Sequence, residues 1–143
     1  MGVQYSTAVR KGMLDAIEVQ TGPNARVVFY TGAKPATCAT AASGSVIATL
    51  ELTGNSGDWM SAAADAANVV TKDKHPSSSW SAQASAAGTV GHYRIYDSTV
   101  TVCHEQGSVT AVGGGGDITL DNVVVALNQT LTIISKTITA GNG

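Results

Sequence analysis

The hydrophobic period of this chain changes once, at Gly22-Pro23-Asn24, and that change constrains the fold more than any other feature. Before it, Tyr5, Val9, Met13 and Ile17 recur at every fourth position with Leu14 beside them, the pattern of an amphipathic helix over residues 4–19. Ser6 or Thr7 can cap its start, and Gly22-Pro23 stops it. Arg10, Lys11, Asp15 and Glu18 occupy the opposite face. Such a helix is expected to lie with its apolar face on a surface, either its own sheet or a neighbour.

After Asn24 the period is two. "RVVFYT" (26–31) reads as a strand closed by Gly32, and "AKPATCATAASG" as a small-residue loop. "SVIATLEL" (45–52) alternates cleanly, and "TGNSGD" (53–58) is a turn. Residues 59–74 fit no single pattern: they suit a helical turn or an irregular alanine-rich excursion. Further strand signals follow weakly around Trp80, then clearly in "TVGHYRIYD", "TVTVCHEQGSVTAV", "GDITLDN", "NVVVAL" and "QTLTIISKTIT". In the last run the apolar phase slips between Ile133 and Ile134, which predicts a β-bulge or a strand buried on both sides. No repeat of 20–50 residues is present. About seven or eight short strands spaced by turns, after one helix, predict a mainly β chain: a β-sandwich or jelly roll with one N-terminal α-helix. The 143 residues are the usual size of one domain, here a helical arm (1–22) and a β-sandwich (25–140).

Charged residues make up only 13% of the chain and net charge is -2. Lys72, Lys74 and His75 are the one local cationic group, too little to neutralise a run of phosphates, so no nucleic-acid partner is expected. No stretch approaches the ~20 apolar residues of a membrane-spanning helix, and no membrane partner is expected. The N-terminal "MGVQYSTAVRKGMLDAIEV" is interrupted by charges and does not read as a secretory signal. Synthesis in a cytoplasm follows as the expectation, with Cys38 and Cys103 reduced rather than paired.

Catalytic templates fail on specific missing residues. "GGGGD" (113–117) has no lysine to reach a phosphate, Asp117 would repel one, and no helix follows. Calcium-binding β-helices need tandem G-G-x-G-x-D, and one misspaced copy is present. Cys38, Cys103, His104, His92 and His75 could be asked to hold zinc. Cys103 and His104 are adjacent, however, and in a strand point to opposite faces. No oxyanion turn or orienting acid accompanies a Cys103–His92 or Cys38–His92 pair, and no serine sits in G-x-S-x-G. Asp97, Glu105, Asp117 and Asp121 could supply a glycosidase pair, but they read as strand-end or turn carboxylates. The chain is not expected to be an enzyme, and no cofactor or metal is expected.

The segments "YSTAVRKGMLDAIE", "TGAKPATCATAASGSVIATLEL", "GHYRIYDS", "CHEQGSVT", "GGGGDITLDN" and "QTLTIISKTITA", in that order, resemble small virion proteins of tailed bacteriophages. The resemblance covers nearly the whole chain apart from residues 59–80. It implies a capsid cement (decoration) protein with a jelly-roll-like fold on the outer surface of an HK97-type head. Such a protein bridges major capsid protein subunits, often as a homodimer. The other virion role it allows is a tail- or fibre-associated β-sandwich used for structure or adhesion. No catalytic residue comes with the resemblance. The candidate partner-binding residues are Val3, Tyr5, Val9 and Met13, because a terminal amphipathic helix makes a simple clamp. Trp59 joins them, because the chain leaves strand regularity there and Trp is enriched at interface hot spots.

Overall fold

A computed structural model describes residues 2–52, 58–66 and 68–141. The turn expected at 53–58 lies, apart from Asp58, outside the described residues. The chain is mainly β and sandwich-like, with one helix at its N-terminus, as the change of period implies. Helix α1 spans Thr7–Thr21. The strands are β1 (Arg26–Thr31), β2 (Val46–Glu51), β3 (Ala64–Ala66), β4 (Val69–Asp73), β5 (Ser81–Gln83), β6 (Gly88–Tyr96), β7 (Cys103–Ala111), β8 (Ile118–Leu120), β9 (Val124–Val125) and β10 (Thr130–Gly141). There are more strands than the turn spacing suggests because the ambiguous stretch after Trp59 adds two. It forms the antiparallel β3–β4 hairpin, with Asn68 at φ 70°, and Met60 bridges to Lys74.

The sheet path runs β2-β1-β6-β7-β8-β10-β4-β3, with β5 on β10 and β9 on β6. β6 and β10 change partners along their length. β10 meets β5 at its start, β8 in the middle and β4 at its end, which lets one strand turn the corner between layers. The register of β10 on β8 shifts between Ile133 and Ser135, the bulge that the slipped apolar phase predicts, and Ile134 is turned outward. One core runs between the layers, filled by Phe29, Ile47, Trp59, Met60, Tyr93, Ile95, Ile118, Leu120, Leu131 and Ile133.

β7 and β8 are parallel, with Val109 beside Ile118 and Ala111 beside Leu120. Parallel neighbours ordinarily need a crossover of about a dozen residues. Here residues 112–117 suffice, because the paired segment is only three residues long and the link is largely glycine. Gly113 and Gly115 take φ of 88° and 76°, which favour glycine. At Gly114 and Gly116 an added Cβ would come within 2.6 Å and 2.8 Å of Thr110. The glycine run is a return loop folded against Thr110, whose hydroxyl accepts the Gly116 amide at 2.9 Å.

β1 is buried on both sides. Val27 and Phe29 enter the main core, while Val28 and Tyr30 join Tyr96 in a second cluster roofed by the 33–45 loop. That loop is fastened down in three ways. The guanidinium of Arg94 donates to the Thr37 and Thr40 carbonyls at 3.2 and 2.8 Å, and the Gln106 amide donates to the Pro35 carbonyl at 2.8 Å. Cys38 is bonded to Cys103, with a Cα–Cα separation of 5.4 Å. The expectation of reduced thiols is therefore corrected. The reason is topological: pairing of β1, β6 and β7 brings the loop over the start of β7, at a distance a disulfide spans.

Candidate functional site

The carboxylates that a hydrolytic reading would enlist are committed to structure. Asp97 accepts from the hydroxyls of Thr99 and Thr101 and from the amides of Thr101 and Val102, closing its own turn. These bonds, led by that from Thr99, hold its carboxyl well below the usual range. Asp117 accepts the amide and hydroxyl of Ser108, both at 2.8 Å, and the amide bond foremost lowers its pKa. Asp121 accepts the Asn122 and Thr132 amides at 2.9 Å each.

Glu105 is different, and its place was not legible in the sequence. It lies inside β7 rather than at a strand end, and binds Lys136 of β10 and the Tyr93 hydroxyl of β6. Lys136 and Tyr93 are each 2% exposed, with the Lys136 ammonium 5.1 Å from the Tyr93 ring centre. Burial first, then the charge of Glu105, raises the Tyr93 pKa. Gly107 stands opposite Tyr93 and leaves room for its ring, since a Cβ there would fall 2.7 Å from the ring edge. The Glu105–Lys136 ion pair, joined by the Tyr93 hydroxyl, ties three strands together.

The potential zinc ligands are dispersed. Cys103 faces the 33–45 loop through its disulfide, while His104 lines a hollow of about 360 Å³ with Ala16, Ile17 and Gln20 of α1. His92 is fully buried, stacked on Tyr30 at 5.1 Å, with Nδ1 2.9 Å from the Gly32 carbonyl. Among the described residues, no three His, Cys, Asp or Glu side chains stand close enough to hold a metal ion. Among them, too, no helix is long and apolar enough to cross a bilayer.

α1 also carries an apolar surface, because its buried side does not coincide with the apolar stripe of its sequence. Ser6 caps the helix by accepting the Val9 amide, and Gly22 ends it at φ 79° with its amide on the Glu18 carbonyl. The buried residues are Arg10, Leu14, Glu18 and Thr21. Lys72 of β4 explains this orientation. Its ammonium binds Asp15 at 2.7 Å and also Glu18, whose other oxygen accepts the Met60 amide at 2.6 Å. Burial works against the charge on Lys72, but the two carboxylates outweigh it and the net shift is upward. Arg10 reaches back to the Thr7 hydroxyl at 3.3 Å. Arg10 and Glu18 of the charged side are thus internal, while Lys11 and Asp15 stay at the surface.

Tyr5, Val9 and Met13 consequently face outward, each roughly half exposed, and Val3 is 72% exposed. Of the expected apolar residues, Leu14 is buried and Ile17 packs against the core, while the rest stay out. The helix does not bury its stripe on its own sheet, and four of the five candidate partner-binding residues lie on one open face and the arm leading to it. Trp59 does not join them. It is 1% exposed, in the core, tilted against Trp80 at 6.5 Å between ring centres, so it cannot serve as a surface anchor. The physical reason is that the β3–β4 hairpin restores sheet structure after Trp59 and holds that residue beneath it. Beside the open face runs a groove of about 780 Å³, bounded by Lys11, Asp15 and Val19 of α1 and by Met60 and Ala62. Its buried floor charges, Lys72 and Glu18, already satisfy each other.

Compared with family models, with curated proteins and with solved structures, the chain matches none.

Proposed function

We propose that this chain is a structural virion protein, a capsid cement protein that stabilises an HK97-type phage head by bridging major capsid protein subunits on its outer surface. One observation carries the reading most directly: α1 buries Arg10 and Glu18 and presents Tyr5, Val9, Met13 and Val19 outward. Exposed apolar surface of this kind marks a protein whose work is contact. Asp97, Asp117 and Asp121, tied into turns, and Glu105, tied into the sheet, support the same reading. The ordered resemblance to phage virion proteins supplies the kind of particle. The Cys38–Cys103 bond suits a protein that serves in oxidising surroundings outside a cell. In a shell, many modest contacts repeated by symmetry add up to strong retention.

The test is deletion of the gene followed by electron microscopy of heads under heat. The proposal predicts wild-type heads carrying the protein at a stoichiometry in the hundreds, and mutant heads that rupture at lower temperature. A few copies per particle would reassign it to the tail or fibre. Unchanged heads that carry none of it would refute the reading.

A further inference from the structure

We infer that the open face of α1 seats a second copy of this chain, as an antiparallel helix pair in which each copy's N-terminal arm lies along its partner's groove. This deepens the reading above by naming one of the two contacts a bridging protein makes. Its test is separate from head binding.

The face is continuous. Ala8, Val9, Gly12, Met13, Ala16 and Val19 are all exposed and all apolar or small, and they span an arc of about 140° at the helical 100° per residue. Ala8, Gly12 and Ala16 recur at every fourth position along its middle. A Cβ placed at Gly12 meets nothing within 4 Å, so the helix surface there is open to another backbone.

The flanking charges select a copy of the same chain. Lys11 and Asp15 lie on one flank of the face, a turn apart. A two-fold axis through Met13 sets Lys11 of each copy opposite Asp15 of the other, so one pair of residues makes two complementary contacts. A parallel pair would put the two flanks on opposite sides of the seam, where Lys11 and Asp15 do not meet. Lys11 forms no ion pair among the described residues, and the Asp15 side chain is 54% exposed although it touches Lys72.

The same axis brings Val3 of one copy to Pro23 of the other. Gly22 and Pro23 line the groove of about 780 Å³ that runs along the charged flank. The arm reaches it. Residues before Thr7 are not helical, so Val3 can extend about 22 Å from Met13, against about 15 Å from Met13 to the far end of the helix. Stable interfaces bury about 1,200 Å² or more in total, and two arms in two grooves enlarge what a four-turn helix pair alone would cover.

The probe is the purified full chain in light scattering coupled to size exclusion at micromolar concentration. The wild-type chain is expected to be a dimer. Gly12→Gln should be a monomer that melts at or above the wild-type temperature, because the added side chain meets only solvent within its own copy. Met13→Cys should cross-link to a dimer with a short bismaleimide, whereas Gln20→Cys, far from its own image across the axis, should not. A monomeric wild-type chain would overturn the inference. So would a dimer that survives Gly12→Gln and fails to cross-link through position 13, which would place the pairing on another face. Neither result alters the count of copies on heads, so the failure of this inference and the failure of the cement reading are told apart.

Discussion

At Gly91 the backbone of β6 passes so close to β1 that an added Cβ would lie 2.1 Å from the Gly32 carbonyl oxygen. The β1–β6 register shifts here, with Tyr30 facing His92 and Thr31 facing Val90, so Gly91 is the extra residue of a bulge. Gly91→Ala is expected to lower stability by about 1–3 kcal/mol, measured by urea unfolding, because a backbone atom must move. Asp97 bears on pH. Its folded pKa is depressed, so its contribution to stability is present above the ordinary carboxylate range and is lost as pH falls through the depressed value. Asp97→Asn should therefore flatten the fall in melting temperature below about pH 4, and an unchanged acid slope would count against the turn as drawn. Single residues also mark where sequence reasoning stops. Glu105 is one carboxylate among several in the sequence, and its partners Tyr93 and Lys136 are 12 and 31 positions away. Only strand pairing brings the three together.

For the elements, α1 shows both the reach and the limit of periodicity. Its existence, its Ser6 cap and its Gly22 stop were legible, because they are local. Which face it buries was not. Arg10 and Glu18 have the look of a solvent-facing side, and what reverses them is Lys72, in a stretch whose pattern is ambiguous on its own. Lys72 and Glu18 are a buried pair, with side chains 4% and 7% exposed. Removing one partner strands the other charge, so Lys72→Met is expected to cost about 3–5 kcal/mol. The double variant Lys72→Met with Glu18→Gln should recover part of that loss. Equal stability of the single variant and the wild type would mean that α1 is not anchored there. The raised Lys72 pKa sets the alkaline behaviour: its stabilisation holds below about pH 10.5 and is lost as pH rises through the higher folded value. The strands carry the same lesson. The bulge in β10 was readable from Ile133-Ile134, whereas the β3–β4 hairpin, whose own stretch shows no clear period, forms against the end of β10.

Across the whole molecule, the fold class follows from turn spacing and the switch of period, and the fastening of the 33–45 loop does not. Its disulfide closes a loop of 65 residues in sequence separation, which by chain entropy contributes about 2–4 kcal/mol. Replacing both Cys38 and Cys103 by Ser should lower the denaturation midpoint accordingly, and a reductant should shift the wild-type chain but not the double variant. Function is the least local property. Composition and absent motifs turn attention from chemistry to surfaces, and the orientation of α1 shows which surface is open. Adding purified protein to heads that lack it, and measuring bound copies and rupture temperature together, shows whether this chain cements a phage head. Saturable binding on the order of hundreds of copies per head, set by shell symmetry, is expected, with a rise in rupture temperature. No binding, or binding that leaves the rupture temperature unchanged, would contradict that role.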